Sequence, residues 1–483
     1  MNTTSPALSS TAVLDALWRG SGLNVHALDR VHLMGSCEHS RSSFAVGAAA
    51  QAGVAAAALA ATEIGAARQP GLAPQGVSVN MEHVLAETTG YFTLDDMQPE
   101  AWSPLSGLYT CGAAIGQPGW VRIHANFDHH RDGALRMLGL PPGSQTSRQQ
   151  VAQALHSWNA LDFEAQATEA GLVVAAVRSM KEWEAHPQSI ALRAQPLISI
   201  TQLDAGRSAA PRAWPAIASE ALPLEGLRVL DLTRILAGPV TARTLAAYGA
   251  DVLMVNAPHL PNIEAIADLS RGKRSALLDL RTADGMARMR QLLDGAHVFL
   301  QGYRPGSLQA LGLGAETVAR MAPGIVCASL SAYGRSGPWG DKRGFDSLVQ
   351  TVSGMNLAEA EAFGDLGPRA LPMQLLDYGA GFLLALGVQA ALLRQATLGG
   401  TWHVEVSLAR VAQWLVEMGR VSAMQQAEAD HKTEGWQMPF TETVPSGFGE
   451  LCAVRPSAEL SRTPARLRRP SVRPGTDEPC WLA

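Results

Sequence analysis

Charge is scarce and nearly balanced in this sequence. Only 17% of its 483 residues are Asp, Glu, Lys or Arg, and 38 basic against 43 acidic side chains give a net charge of -5. Such a chain has no global field to attract nucleic acid or an anionic membrane, so neither is expected as a partner. Cysteine is equally sparse. Cys37, Cys111, Cys327, Cys452 and Cys480 are odd in number, scattered and never paired as C-x-x-C, which excludes a disulfide framework and a zinc finger and fits reduced thiols in a cytoplasmic location. The opening MNTTSPALSSTAVLDALW lacks the basic stretch and apolar core of a signal peptide. The glycine-rich loops "GDLGP" and "RSGPWG" lack the G-x-x-x-x-G-K-[ST] and G-x-G-x-x-G spacings, so a nucleoside triphosphate or nicotinamide has no motif to bind. No permanently bound cofactor and no metal is expected.

What the chain does have is apolar surface, 47% of its residues, enough to build two or three packed domains. Two runs are long enough to be mistaken for membrane spans: the alanine-rich stretch from Ser42, and "LLDYGAGFLLALGVQAALL" from Leu375. Alanine gains little from lipid and the second run carries Asp377, so both are expected to be buried helices. From Leu227 onward, short β-rich runs ("LRVLDL", "DVLMVN", "SALLDL", "HVFLQGY", "GIVCASLSAY") alternate with helical patterns. The expected fold is α/β: a large doubly wound, Rossmann-like parallel sheet plus a smaller α/β domain. Boundaries are expected at 1–40 for a helical extension, 41–215 for a first unit, 222–425 for the large domain and 430–483 for a return segment and tail. A linker rich in proline, alanine and serine is expected between Ala205 and Pro223.

The two apolar runs align with each other. Gly381 falls on Gly47, Gly387 on Gly53 and Val388 on Val54 at one offset, and "HVEVSL" at His403 matches "GVSVNM" at Gly76 after a short slip. This spacing suggests an internal repeat whose first copy has Ser43 where the second has Asp377. Asp377 is the leading candidate for chemistry, because a carboxylate at the start of a buried helix meets the positive end of the helix dipole. Gly379 and Gly381 beside it are expected to leave N–H groups free for an oxyanion. Two other clusters stand out. His124, Asp128, His129 and His130 in "HANFDHH" suggest a metal site only weakly, since a strand would split such neighbours between faces and adjacent histidines are usually solvated. Arg271, Lys273, Arg274, Arg281, Arg304 and Arg343 form either a solvated basic rim or a site for a phosphorylated small molecule.

Five collinear blocks, "LEGLRVLDLTRILAGPVTARTLAAYGADVLMVNAP", "RGKRSALLDLRTADG", "YRPGSLQALGLG", "CASLSAYGRSGPWGDKRGFDSLVQTVSG" and "LLDYGAGFLLALGVQAAL", resemble the class III CoA-transferases, whose relatives include α-methylacyl-CoA racemase. The resemblance implies acyl-CoA and a carboxylate acceptor as substrates and Asp377 as the nucleophile. It implies CoA contacts at Leu236, Ala237, Leu278, Asp279, Arg281, Gly302, Tyr303, Arg304, Arg343, Phe345 and Asp346. The chain departs from the family pattern at Asn256, Ala257, Gly302 and Ala310. Family members are usually interlocked homodimers. Here "WVRIHANFDHHRDGALRMLGLP" and "PLISITQLDAG" resemble family parts displaced in front of the sheet domain, so a partly duplicated, permuted chain is expected, either a pseudo-dimeric monomer or a homodimer. Racemases of the family place a histidine in a "GHD" context; "GFD" here puts Phe345 in that place, and phenylalanine transfers no proton. The competing reading is a non-catalytic acyl-CoA-binding or scaffolding protein.

Overall fold

The computed structural model describes residues 6–35, 40–203, 209–212, 214–422 and 435–482. Cys37, part of the expected linker and the boundary near 430 lie outside them.

The second half builds the sheet that the sequence foretells. Strands at Arg228–Leu232, Asp251–Asn256, Lys273–Leu277, Val298–Gln301, Val326–Ser331 and Thr401–Ser407 are joined through helices such as Ala237–Ala247 and Ala283–Gly295. Most of their side chains are buried on both faces, as befits strands covered on both sides by helices. In spatial order the third strand leads, followed by the second, first, fourth, fifth and sixth, all parallel. The order therefore reverses between Arg228–Leu232 and Val298–Gln301, which opens a crevice at their carboxyl ends.

The two halves then exchange edges. Strand Ser199–Leu203 of the first half pairs antiparallel with Thr401–Ser407 and closes the large sheet. In return, Ala458–Leu460 near the C-terminus pairs antiparallel with Val77–Asn80 of the first half, whose other neighbour is Val31–Met34. A smaller antiparallel sheet, Gly107–Cys111, Gly119–Ile123 and Val174–Ala176, has its own apolar core around Val121, Ile123, Leu155 and Phe163. Neither half satisfies its sheet edges alone.

Both long apolar helices, Val46–Arg68 and Leu375–Leu398, are long and apolar enough to cross a membrane but lie inside the protein, packed against each other. Alanine favours helix intrinsically and permits close approach. The pair is pinned midway by the Gln389 side chain, which donates to the Ala57 carbonyl at 2.9 Å.

The first three cations of the basic run "RGKRSALLDLR" turn out to form neither a solvated rim nor a phosphate site. Arg271 pairs with Asp268, Lys273 with Asp231 at 3.0 Å and Arg274 with Asp251 at 2.9 Å, all three cations buried. Sequence shows the charges but not the carboxylates that fold back onto them.

Candidate active site at the seam of the two halves

A cavity of about 370 Å³ opens at the switch point of the large sheet. Its floor is made by the segments that follow three strands: Arg234 and Ile235, then Gly302 to Pro305, then Leu330 to Ala332. The turn after the first strand is fixed from beneath, since Asp231 accepts from both the backbone and the hydroxyl of Thr233 and pairs with Lys273. Ile235 is held at φ +76°. A β-branched residue in the left-handed region is strained, and strain of this kind collects at functional sites.

Three guanidinium groups, Arg234, Arg304 and Arg343, face this cavity without a carboxylate partner among the described residues. Lys342 is also on the wall but is already committed, to Glu164 at 3.0 Å and to the face of Trp339 at 3.7 Å. The mouth thus combines free positive charge with apolar surface from Phe127, Tyr303 and Phe345, a combination suited to an anionic, partly apolar ligand.

The opposite wall comes from the first half, through Phe127, His129, His130 and Val173. His130 is 6% exposed and neither of its ring nitrogens has a hydrogen-bond partner. Burial, then the neighbouring His129 and Arg343, push its pKa down to about 3, so it is neutral. His124 stacks on Phe345 with ring centroids 4.1 Å apart, and burial pushes it to about 3 as well. Its Nδ1 has no partner. The sequence reading treated "HANFDHH" as solvated, yet His124 and His130 are buried. His129 and His130 start a helix, Asp128–Met137, instead of alternating along a strand. No group of three or more metal-ligating side chains occurs among the described residues.

Behind Phe345 lies a pair of buried carboxyl groups, Asp346 and Asp377. Asp346 begins the helix Asp346–Val352 and is fully buried. One of its oxygens accepts the backbone N–H of Asp377 at 2.9 Å, and the other accepts from Gln350 at 2.6 Å. Asp377 sits in the first turn of Leu375–Leu398, 8% exposed, and its carboxylate has no hydrogen-bond partner among the described residues. Burial and then the like charge of Asp346 raise its pKa well above the ordinary carboxyl value. Burial raises Asp346 too, to about 6.

Of the residues expected around CoA, Gly302, Tyr303, Arg304, Arg343 and Phe345 are brought together on the cavity wall; Leu236, Ala237, Leu278, Asp279, Arg281 and Asp346 are not on it. Arg281 instead clasps Asp279 at 2.7 Å on the surface. Asp346 is corrected from a ligand contact to a group that positions Asp377, because both its oxygens are spent on protein donors. The glycines are corrected also. Gly379 and Gly381 lie within the helix, where N–H groups serve its own ladder, and a Cβ on Gly381 would stand 2.6 Å from Val240 and 2.8 Å from the Ala237 carbonyl. Gly381 is there for helix packing.

Residues 224–451 match the model of CoA-transferase family III. Among similar curated proteins are an acyl-CoA transferase of Gibberella moniliformis, 29% identical over 60% of this chain and 53% of its own length, and a probable fatty acyl-CoA transferase of Mycobacterium tuberculosis, 36% identical over 40% and 52%. A formyl-CoA:oxalate CoA-transferase of Rhodopseudomonas palustris is 29% identical over 49% and 59%. The chain spans about half the length of these relatives.

Proposed function

We propose, on the match of residues 224–451 to the model of CoA-transferase family III, that this protein moves CoA between an acyl-CoA thioester and a carboxylic acid, with Asp377 as nucleophile. The observation that carries the reading is the state of that carboxylate: nearly buried, unhydrogen-bonded and pressed against Asp346. A carboxylate poorly solvated and raised in basicity is a better nucleophile than one in water. The names of the relatives, all acyl-CoA or CoA transferases, support the same chemistry.

In this reading an oxygen of Asp377 attacks the thioester carbonyl of the donor, and CoA leaves as thiolate, giving a mixed anhydride. The thiolate then attacks the aspartyl carbonyl and releases the donor acid, leaving CoA on Asp377 as a thioester. An acceptor carboxylate attacks that thioester and the same two steps run in reverse. Asp346 holds the Asp377 backbone throughout, and Arg234, Arg304 and Arg343 at the cavity suit the phosphates of CoA. The neutral ring of His130 offers one donor and one acceptor to amide groups of a bound ligand.

The test is to incubate the full chain with a panel of acyl-CoA donors, quench with hydroxylamine and map the product by mass spectrometry. A hydroxamate at Asp377 supports transfer. Tight CoA binding with no hydroxamate for any donor would leave the non-catalytic acyl-CoA binder as the better description.

A further inference from the structure

Among the described residues, one buried cation has no hydrogen-bond acceptor or ion-pair partner. Arg178, Arg243, Arg271, Lys273 and Arg274 are each matched with a carboxylate. Arg122, only 7% exposed, makes no side-chain hydrogen bond and no ion pair among the described residues. Its one specific contact is the ring of Trp102, 5.5 Å away. A guanidinium carries five N–H donors; the Arg122 nitrogens have no protein acceptor among the described residues yet are not fully enclosed, so the fork keeps some access. Burial lowers its pKa to about 10, with Asp346 opposing and Arg148 reinforcing that shift, so it keeps its charge at neutral pH.

Its place in the fold explains where those donors are available. Arg122 lies on the middle strand of the small sheet, between Leu108 and Ala175. Val121 and Ile123 turn into that sheet's own core, so Arg122 and His124 share the other face. His124 fixes that face against Phe345, the residue before Asp346. Arg122 is therefore delivered by the first half to within electrostatic reach of Asp346, the carboxylate that accepts the Asp377 N–H, and it is absent from the cavity wall where Arg234, Arg304 and Arg343 stand. With Asp377 carrying CoA as a thioester, an acceptor carboxylate entering there still meets the like charge of Asp346 in a poorly solvated place. It needs a cation there, and a planar guanidinium fork matches a carboxylate best.

We propose that Arg122 is the anchor for the acceptor acid, binding its carboxylate as it approaches the CoA thioester on Asp377. The proposal rests on the transfer reading above. It assigns to the first half of the chain a substrate-binding role distinct from the CoA site: the cavity arginines take the phosphates, and Arg122 takes the small carboxylate.

The experiment titrates the CoA-saturated full chain with formate, oxalate, succinate, glutarate and butyrate by calorimetry, with butyramide as the uncharged control, and repeats the series on Arg122→Met and Arg122→Lys. At least one acid should bind where butyramide does not. Arg122→Met should weaken that acid about 30-fold or more, as loss of a charged hydrogen-bond pair implies, and Arg122→Lys should lie between. CoA affinity should stay within about twofold, because the phosphate site is elsewhere. In turnover the KM for the acceptor should rise while the hydroxamate yield at Asp377 is unchanged. Acid binding unaffected by either variant overturns the proposal, as does equal loss of both half-reactions, which would make Arg122 a support for Asp346. If no donor acylates Asp377 but acid binding still depends on Arg122, the carboxylate site stands and the transfer reading falls. Should Arg122→Met fail to fold, Arg122→Lys decides alone, since it keeps the charge and removes the fork.

Discussion

The helices Val46–Arg68 and Leu375–Leu398 lie against each other, and the chain just before or within the first turn of each donates a backbone N–H to a buried carboxylate. At one end Asp377 donates to Asp346; at the other Ser43 donates to Glu359 at 2.9 Å. The difference is in what surrounds them. Glu359 is fully matched, accepting also from the hydroxyls of Ser42 and Ser43, while Arg420 reaches Ser43 and the Ala358 carbonyl. At the Asp377 end the second group is itself a carboxylate and has no donor. Two similar helix ends thus reach different states, one carboxylate fully hydrogen-bonded, the other without a donor among the described residues. In the proposed reading, the reactive end is the one where pairing was left incomplete.

The strongest way to break this comparison is at the nucleophile. Asp377→Ala should lower exchange by on the order of 10³-fold or more, with CoA affinity nearly unchanged by calorimetry. Ser43→Ala should leave turnover as it is. Residual exchange in Asp377→Ala close to the parent would remove the mechanism.

Glu359→Ala tests the closed end. It strips acceptors from Ser42, Ser43 and the Arg420 network at once, and should cost on the order of 3 kcal/mol in urea unfolding, with the specific activity of the folded protein unaltered. A loss below about 1 kcal/mol would mean that the closed end is not held by this network.

Asp377→Asn separates the two ends by pH. The Asp346 and Asp377 carboxyls bind protons more tightly folded than unfolded, so the stability they lend is complete below the ordinary carboxyl value of 3.8 and is lost as pH rises through the raised values, about 6 for Asp346. Asparagine does not titrate and relieves Asp346 of its like-charged neighbour. The variant should match the parent near pH 4 and exceed it by on the order of 2 kcal/mol near pH 7.5. Ser43→Ala should give a difference that is flat over the same range. A flat profile for Asp377→Asn as well would show that the carboxylate pair stores no strain.

Sequence carried the large sheet far: a doubly wound parallel sheet follows from alternating runs and helices, and Asp377 stands out as a charge inside an apolar helix. What it could not carry is the partnership of distant segments. Arg271, Lys273 and Arg274 looked like a solvated rim or a phosphate site because their carboxylates are recognisable only after the sheet is assembled. His124 and His130 looked solvated because their burial comes from Phe345 and the far half of the chain. Arg122 raised no signal at all, since an arginine in a strand is ordinary until its lack of a partner can be seen. The offset between the helices did point to Ser43, and Ser43 does stand at the matching end.

That same offset pairs Gly387 with Gly53, and these two glycines give the finest version of the comparison. A Cβ on Gly387 would come within 2.6 Å of Val404 and 2.7 Å of Ile198, whereas on Gly53 the nearest atom is Cβ of Phe382 at 3.3 Å. Alanine in place of glycine within a helix gains roughly 0.5–1 kcal/mol from backbone entropy. At position 53 a shift of a few tenths of an ångström admits the methyl, so the gain survives and Gly53→Ala should be neutral or slightly stabilising. At position 387 two branched side chains must be displaced in a close-packed interior, which costs about 1–3 kcal/mol, so Gly387→Ala should be net destabilising by about 1 kcal/mol. Urea midpoints of the two single variants measure the difference directly, and equal midpoints would mean that the two faces of the helix pair are packed alike.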